Sequence, residues 1–263
     1  QPMQVSYLFP EHPMAKEWGD FFEKCLEIYG LFYTRPEVKA FEGKGGRWVE
    51  SLGVYNWAYL RPTGHSNIAS ELYDGKNRFA SPYMAERGKW LVDMLTAPVY
   101  NYRNIKDAKP GYPQGWKPGD ALDGEHFTRQ YPAHGAHGGG TTFDRPSSLM
   151  ELGEWLFNYD PIVAENIFWA GKLGKELEHK PNNSDWTEVY KQMHTVNNTG
   201  TNPHLKSCKY VGHGIVLRAG VDTPEELSIH LEQVDKGPNY RWGNQAQGNS
   251  GGIYFYAQGQ LFT

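Results

Sequence analysis

The sequence predicts an α+β chain, with helices through residues 1–205 and an antiparallel β region over residues 206–263. Three observations carry that expectation. Apolar residues recur at spacings of three and four across much of the first region, the period of one helix face. From Tyr210 onward the period becomes two, in short runs rich in Ile, Val, Tyr and Phe, as strands require. Helical patterns that precede strand patterns, and do not alternate with them, indicate segregated α and β regions.

Residues 1–13 contain three prolines and read as an arm or linker. Met14–Tyr29 reads as a helix, with Trp18, Phe21, Phe22, Cys25, Leu26 and Tyr29 on its apolar face and Gly30 as its stop. Trp48–Leu60 reads as a second helix that Pro62 and Gly64 interrupt, because proline removes an internal hydrogen bond and glycine costs helix propensity. Ser66–Tyr73 follows as a short helix ending at Asp74-Gly75. Ser81-Pro82 opens the next one, a capping side chain before proline at the first helical position. Residues 99–146 hold scattered prolines and glycines with no sustained period. A connection of that length inside a compact domain is either disordered or a functional loop, and its Tyr, Trp and His content favours the second.

Helices resume at Ser147 and again at Asp160-Pro161, with a further short helix over Asp185–Met193. Ile215–Leu217, Leu227–Leu231 and Ile253–Tyr256 read as strands, and Gln260–Thr263 begins another. Thr223–Glu226 is the turn between the first two. So few strands make a poor free-standing sheet, so the chain is expected to be a fragment whose sheet is still developing at its end.

Aromatic residues make up 14% of the 263 positions, with 9 Trp, 17 Tyr and 12 Phe, against 39% hydrophobic overall. Much of the burial must come from rings with polar tips that need partners. The formal net charge is −4, which supplies no basic field for nucleic acid. No apolar run approaches the roughly 20 residues of a membrane-spanning helix. Cys25 and Cys208 lack metal-type spacing and are expected as two buried thiols. The first residue is Gln1, consistent with removal of a signal peptide; the expected location is secreted or periplasmic.

Three segments concentrate the chemistry. Gly43–Asn67 combines Arg47, Trp48, Asn56, Trp57, Arg61, His65 and Asn67. Aromatic faces stack on sugar rings, amides and guanidinium groups bind hydroxyls and carboxylates, and an imidazole can move a proton near neutral pH. The bland alternative is a helix of core aromatics with a solvent-facing His65. Tyr131–His137 places His134 and His137 with two residues between them in a glycine-rich loop. That loop is a catalytic or sugar-contacting element, a structural turn, or half of a metal site completed by His126 or Asp144. Asn239–Asn249 carries Tyr240, Arg241 and Trp242, with Tyr240 a candidate general acid and Arg241 a bidentate anion partner. Phosphate-loop, dinucleotide and nucleophile-elbow signatures are absent.

Gly45–Gly53 with Tyr55–Leu60, Tyr131–His137, Pro146–Gly153 leading to Tyr159–Pro161, and Val216–Arg218 together resemble the heparinase II/III-like polysaccharide lyases. The resemblance implies an incomplete α/α toroid over residues 1–205, with the long loop 99–146, followed by the first strands of a β-sandwich over 206–263. It implies β-elimination on a uronic-acid polysaccharide, an acidic polymer as partner, and no required cofactor. By resemblance the carboxylate-neutralising group falls on Asn56, or on His65 with Asn67. Proton transfer falls on His134 or His137, and on Tyr240. Arg47, Trp48, Trp57, Arg61, Asn67, His137, Arg241 and Trp242 would line the substrate. The family's metal-associated His-x-His is missing from the 239–249 loop, so a divalent metal stays an alternative without an identified ligand set. A toroid-type glycoside hydrolase and a non-catalytic glycan-binding fragment are the competing functions.

Overall fold

The computed structural model describes residues 2–25, 55–100, 115, 117, 119–122, 127–132, 146–173, 196–197, 199–210, 214–232 and 252–262. Within α3 and α5, residues 55–63 and 146–148 are described by their backbone alone. These residues form a mixed helix and sheet structure. In chain order the elements are α1 (Pro2–Leu8), α2 (Ala15–Cys25), α3 (Tyr55–Asp74), α4 (Pro82–Asp93), β1 (Val99–Tyr100), β2 (Phe127–Thr128), α5 (Pro146–Leu156), α6 (Pro161–Leu173), β3 (Cys208–Tyr210), β4 (Gly214–Ala219), β5 (Leu227–Glu232), β6 (Gly252–Ala257) and β7 (Gln260–Phe262).

Two helix starts follow the capping chemistry read from the sequence. Ser81 takes an extended backbone and its hydroxyl accepts from the Met84 N–H, with Pro82 at the first helical position. Asp160 Oδ1 accepts from the Val163 N–H at 3.1 Å at the head of α6. Each side chain satisfies an N–H that the first turn leaves without a helical partner.

Two expectations fail for tertiary reasons. The supposed N-terminal arm contains helix α1, held where Tyr7 stacks on Tyr73 at 4.6 Å and donates to Asp74 at 2.8 Å. The interruption expected at Pro62 and Gly64 does not occur, since α3 runs unbroken from Tyr55 to Asp74. Gly64 explains why its position favours continuity. A Cβ there would fall inside van der Waals distance of three indole carbons of Trp155 on α5, so the missing side chain is what lets α5 approach. Residues 66–71 of α3 are buried, and that packing outweighs the local cost of a proline and a glycine. Gly75, at φ 71, then ends the helix in the left-handed conformation that glycine adopts at no steric cost.

The α3–α4 connection is locked by amides and a guanidinium. Asn67 Nδ2 donates to Asn77 Oδ1 at 3.1 Å, and Asn77 Nδ2 donates to the Trp155 carbonyl at 2.9 Å. Arg78 donates from Nε to Glu23 and from Nη2 to Asp74, both at 2.6 Å, joining α2 to α3. Below this lies the main core, including Ile68, Met84, Trp90, Leu152, Trp155 and Phe168.

Five strands pair antiparallel in the order β3-β4-β5-β6-β7. The three-residue β3, absent from the sequence reading, continues this sheet through Cys208↔Val216. Directly opposed residues share a face. One face carries the rungs Val216–His230–Tyr254 and Arg218–Ser228–Tyr256–Leu261 and lies against the helical layer. The other carries Ile215–Leu231–Ile253 and Leu217–Ile229–Phe255–Phe262. It is largely apolar, with Leu217, Ile253 and Phe262 exposed, and carries Lys209 opposite Ile215 and Gln260 opposite Ala257.

Helices and sheet are joined across residue 205. Arg129 binds Glu226 with both nitrogens, Nη1 to Oε1 at 2.5 Å and Nη2 to Oε2 at 2.7 Å. Its Nη1 also donates to the Thr96 carbonyl at 3.0 Å, and its guanidinium lies 5.6 Å from the Trp169 ring centre. Arg218 on β4 donates to the carbonyls of Asp93 and Leu95 at the end of α4, where a helix presents unsatisfied acceptors. Tyr210 donates to Asp93 at 2.5 Å. Between the layers, the 99–146 connection contributes β1 and β2, which pair as Val99↔Thr128 and Tyr100↔Phe127. The Tyr100 N–H also donates to the Gly259 carbonyl at 2.7 Å.

Candidate functional site

The described residues bring one sequence-predicted proton-transfer group beside a carboxylate. His65 Nε2 on α3 lies 3.9 Å from Glu151 Oε2 on α5, with the side chains 22% and 12% exposed. Their meeting follows from the helix packing. Gly64 admits Trp155, and Glu151 sits one turn before Trp155 on the same side of α5. The residue after Gly64 therefore faces the residue one turn from Trp155. Each side chain keeps a minor exposed part, while the two facing atoms, His65 Nε2 and Glu151 Oε2, are themselves buried.

The continuous α3 reorganises the remaining candidates on Gly43–Asn67. Trp57, Arg61 and His65 follow one another at four-residue steps, so their positions lie along one ridge of the helix. Asn56 is nine residues from His65, which places the two positions about 13.5 Å apart along the axis and half a turn apart around it. The side chains of Asn56, Trp57 and Arg61 lie outside the described residues, as do Arg47, Trp48, His134, His137, Tyr240, Arg241 and Trp242 altogether.

Asn67 is placed where it presents nothing to a ligand. It is fully buried, its Oδ1 accepts from the Arg78 N–H at 2.7 Å, and its Nδ2 serves Asn77. The amide read from the sequence as a sugar contact is instead a hinge pin between α3 and the following turn.

Tyr131 opens the segment that leads to His134. It is buried, and its hydroxyl has no hydrogen-bond partner among the described residues. Burial drives the phenol strongly towards its protonated form. His230, expected as structural, is buried with Nε2 3.2 Å from Ser228 Oγ and its ring edge-on to Tyr256. Cys25 and Cys208 are free thiols and half-buried. Burial, then the Asp93 carboxylate, pushes Cys208 up to about 11, which holds it as an unreactive thiol at neutral pH.

Among the described residues no three of His, Cys, Asp and Glu are grouped as metal ligands. The His134/His137 pair on which a metal alternative rested lies outside them. No helix among the described residues is long and apolar enough to cross a membrane.

Glu151 escaped the sequence reading. Its only local signal is its place one turn before a tryptophan, and that acquires meaning only once α5 is known to pack on Gly64. No protein-family model, curated protein or solved structure matches the chain.

Proposed function

We propose that the protein is a polysaccharide lyase acting on a uronic-acid-containing polymer by β-elimination. The single observation that supports this reading most is the partly exposed His65–Glu151 pair, set between two helices of a layer joined to an antiparallel sheet. β-Elimination needs no nucleophile and no metal redox chemistry. A base takes the C5 proton, the C5–H electron pair becomes a C4=C5 double bond, the C4–O bond breaks, and the leaving oxygen receives a proton. An imidazole is suited to one of the two proton transfers. The uronate carboxylate must be neutralised by other groups, with Asn56 and Arg61 the nearby candidates on α3. His134 and Tyr240 are the candidates for the remaining proton transfer, and Arg47, Trp48, Trp57, His137, Arg241 and Trp242 for holding sugar rings and acidic groups.

The finer architecture belongs to the same proposal. The helices are read as part of an α/α toroid and the five strands as one layer of a β-sandwich. The apolar outer face of the sheet supports the second point, because aligned sandwiches pack such faces together at about 10 Å. A secreted or periplasmic location suits a polymeric substrate.

The test is a panel of alginate, glucuronan, glycosaminoglycans and ulvan, followed by ultraviolet absorbance of the new conjugated double bond. Absorbance that rises with one uronate polymer, and is lost in His65→Ala, is the expected result. New reducing ends without absorbance would assign a toroid hydrolase instead. Polymer binding without any product would assign a glycan-binding module.

A further inference from the structure

We draw no further inference here: the strongest candidate, the largely apolar outer face of the five-stranded sheet, carries none, because nothing in the structure shows what covers Leu217, Ile253 and Phe262 there.

Discussion

Removing one partner of the Arg129–Glu226 pair should cost far more than removing both. In Arg129→Met the Glu226 carboxylate, 1% exposed, loses both of its guanidinium bonds. Stranding one partner of such a pair costs about 3–5 kcal/mol. Loss of the guanidinium over Trp169 adds about 0.5–2 kcal/mol, and the Thr96 carbonyl loses a donor worth about 1 kcal/mol. The sum, about 4.5–8 kcal/mol by these values, reaches into the whole stability of an ordinary domain, about 5–15 kcal/mol. In Arg129→Met/Glu226→Leu no charge is stranded. What remains is the lost contact over Trp169, about 0.5–2 kcal/mol, with the Thr96 carbonyl and the Asp222 N–H, which loses Glu226 Oε2 as acceptor, about 2–4 kcal/mol for those two polar groups. Urea unfolding followed by tryptophan fluorescence reads all four proteins, with an unchanged m-value confirming that stability alone has moved. The double variant should be more stable than Arg129→Met by about 2 kcal/mol or more. Strictly additive single losses would refute the claim that the buried charge is what makes Arg129 indispensable.

Two further outcomes follow from the helical layer. Gly64→Ala gains about 1 kcal/mol of helix propensity but forces its methyl into the Trp155 indole; overpacking of about 1–3 kcal/mol or more should win, lowering thermal stability and perturbing the His65 ring signals, and a stabilised variant would show that α5 yields freely. The Asp74 carboxyl would be raised by its burial, but hydrogen bonds from Arg78, the Lys76 N–H and Tyr7 more than reverse this and hold it at about 2, below its ordinary 3.8. A depressed carboxyl stabilises fully above the unfolded value and loses that contribution as pH falls through the folded one. Proteolysis near α1 should therefore increase between about pH 4 and pH 2 in wild type, and less so in Asp74→Asn, which lacks the contribution at every pH; identical acid responses would remove Asp74 as the tether.

What the sequence made legible was local. Ser81-Pro82 and Asp160-Pro161 announce helix starts because capping and proline act within three residues. The alternation in β5 and β6 announces strands because one face of the sheet lies on a core. The misses needed partners far along the chain. Helix α1 depends on Tyr73 and Asp74, the unbroken α3 on a tryptophan in α5, and the short β3 on the edge of β4. His65 was legible as an imidazole near amides and aromatics. Its neighbour Glu151 was not, since nothing local distinguishes it from any other helical glutamate. Asn67 misled for the complementary reason, because an amide that pins two backbone segments looks in sequence like one that awaits a sugar.

The sheet carries an unusual division between its faces. Ordinarily a one-residue slip is punished because it turns apolar side chains to water. Here a slip of β5 would send Ile229 and Leu231 inward, towards the buried interior, and apolar burial alone would not forbid it. The veto comes from polar groups. Ser228 Oγ receives the Ala97 N–H at 2.8 Å and lies 3.2 Å from His230 Nε2, and in a slipped strand that buried N–H would find a hydrocarbon. Correct pairing in this sheet is proofread by hydrogen bonds, with greasiness an indifferent witness.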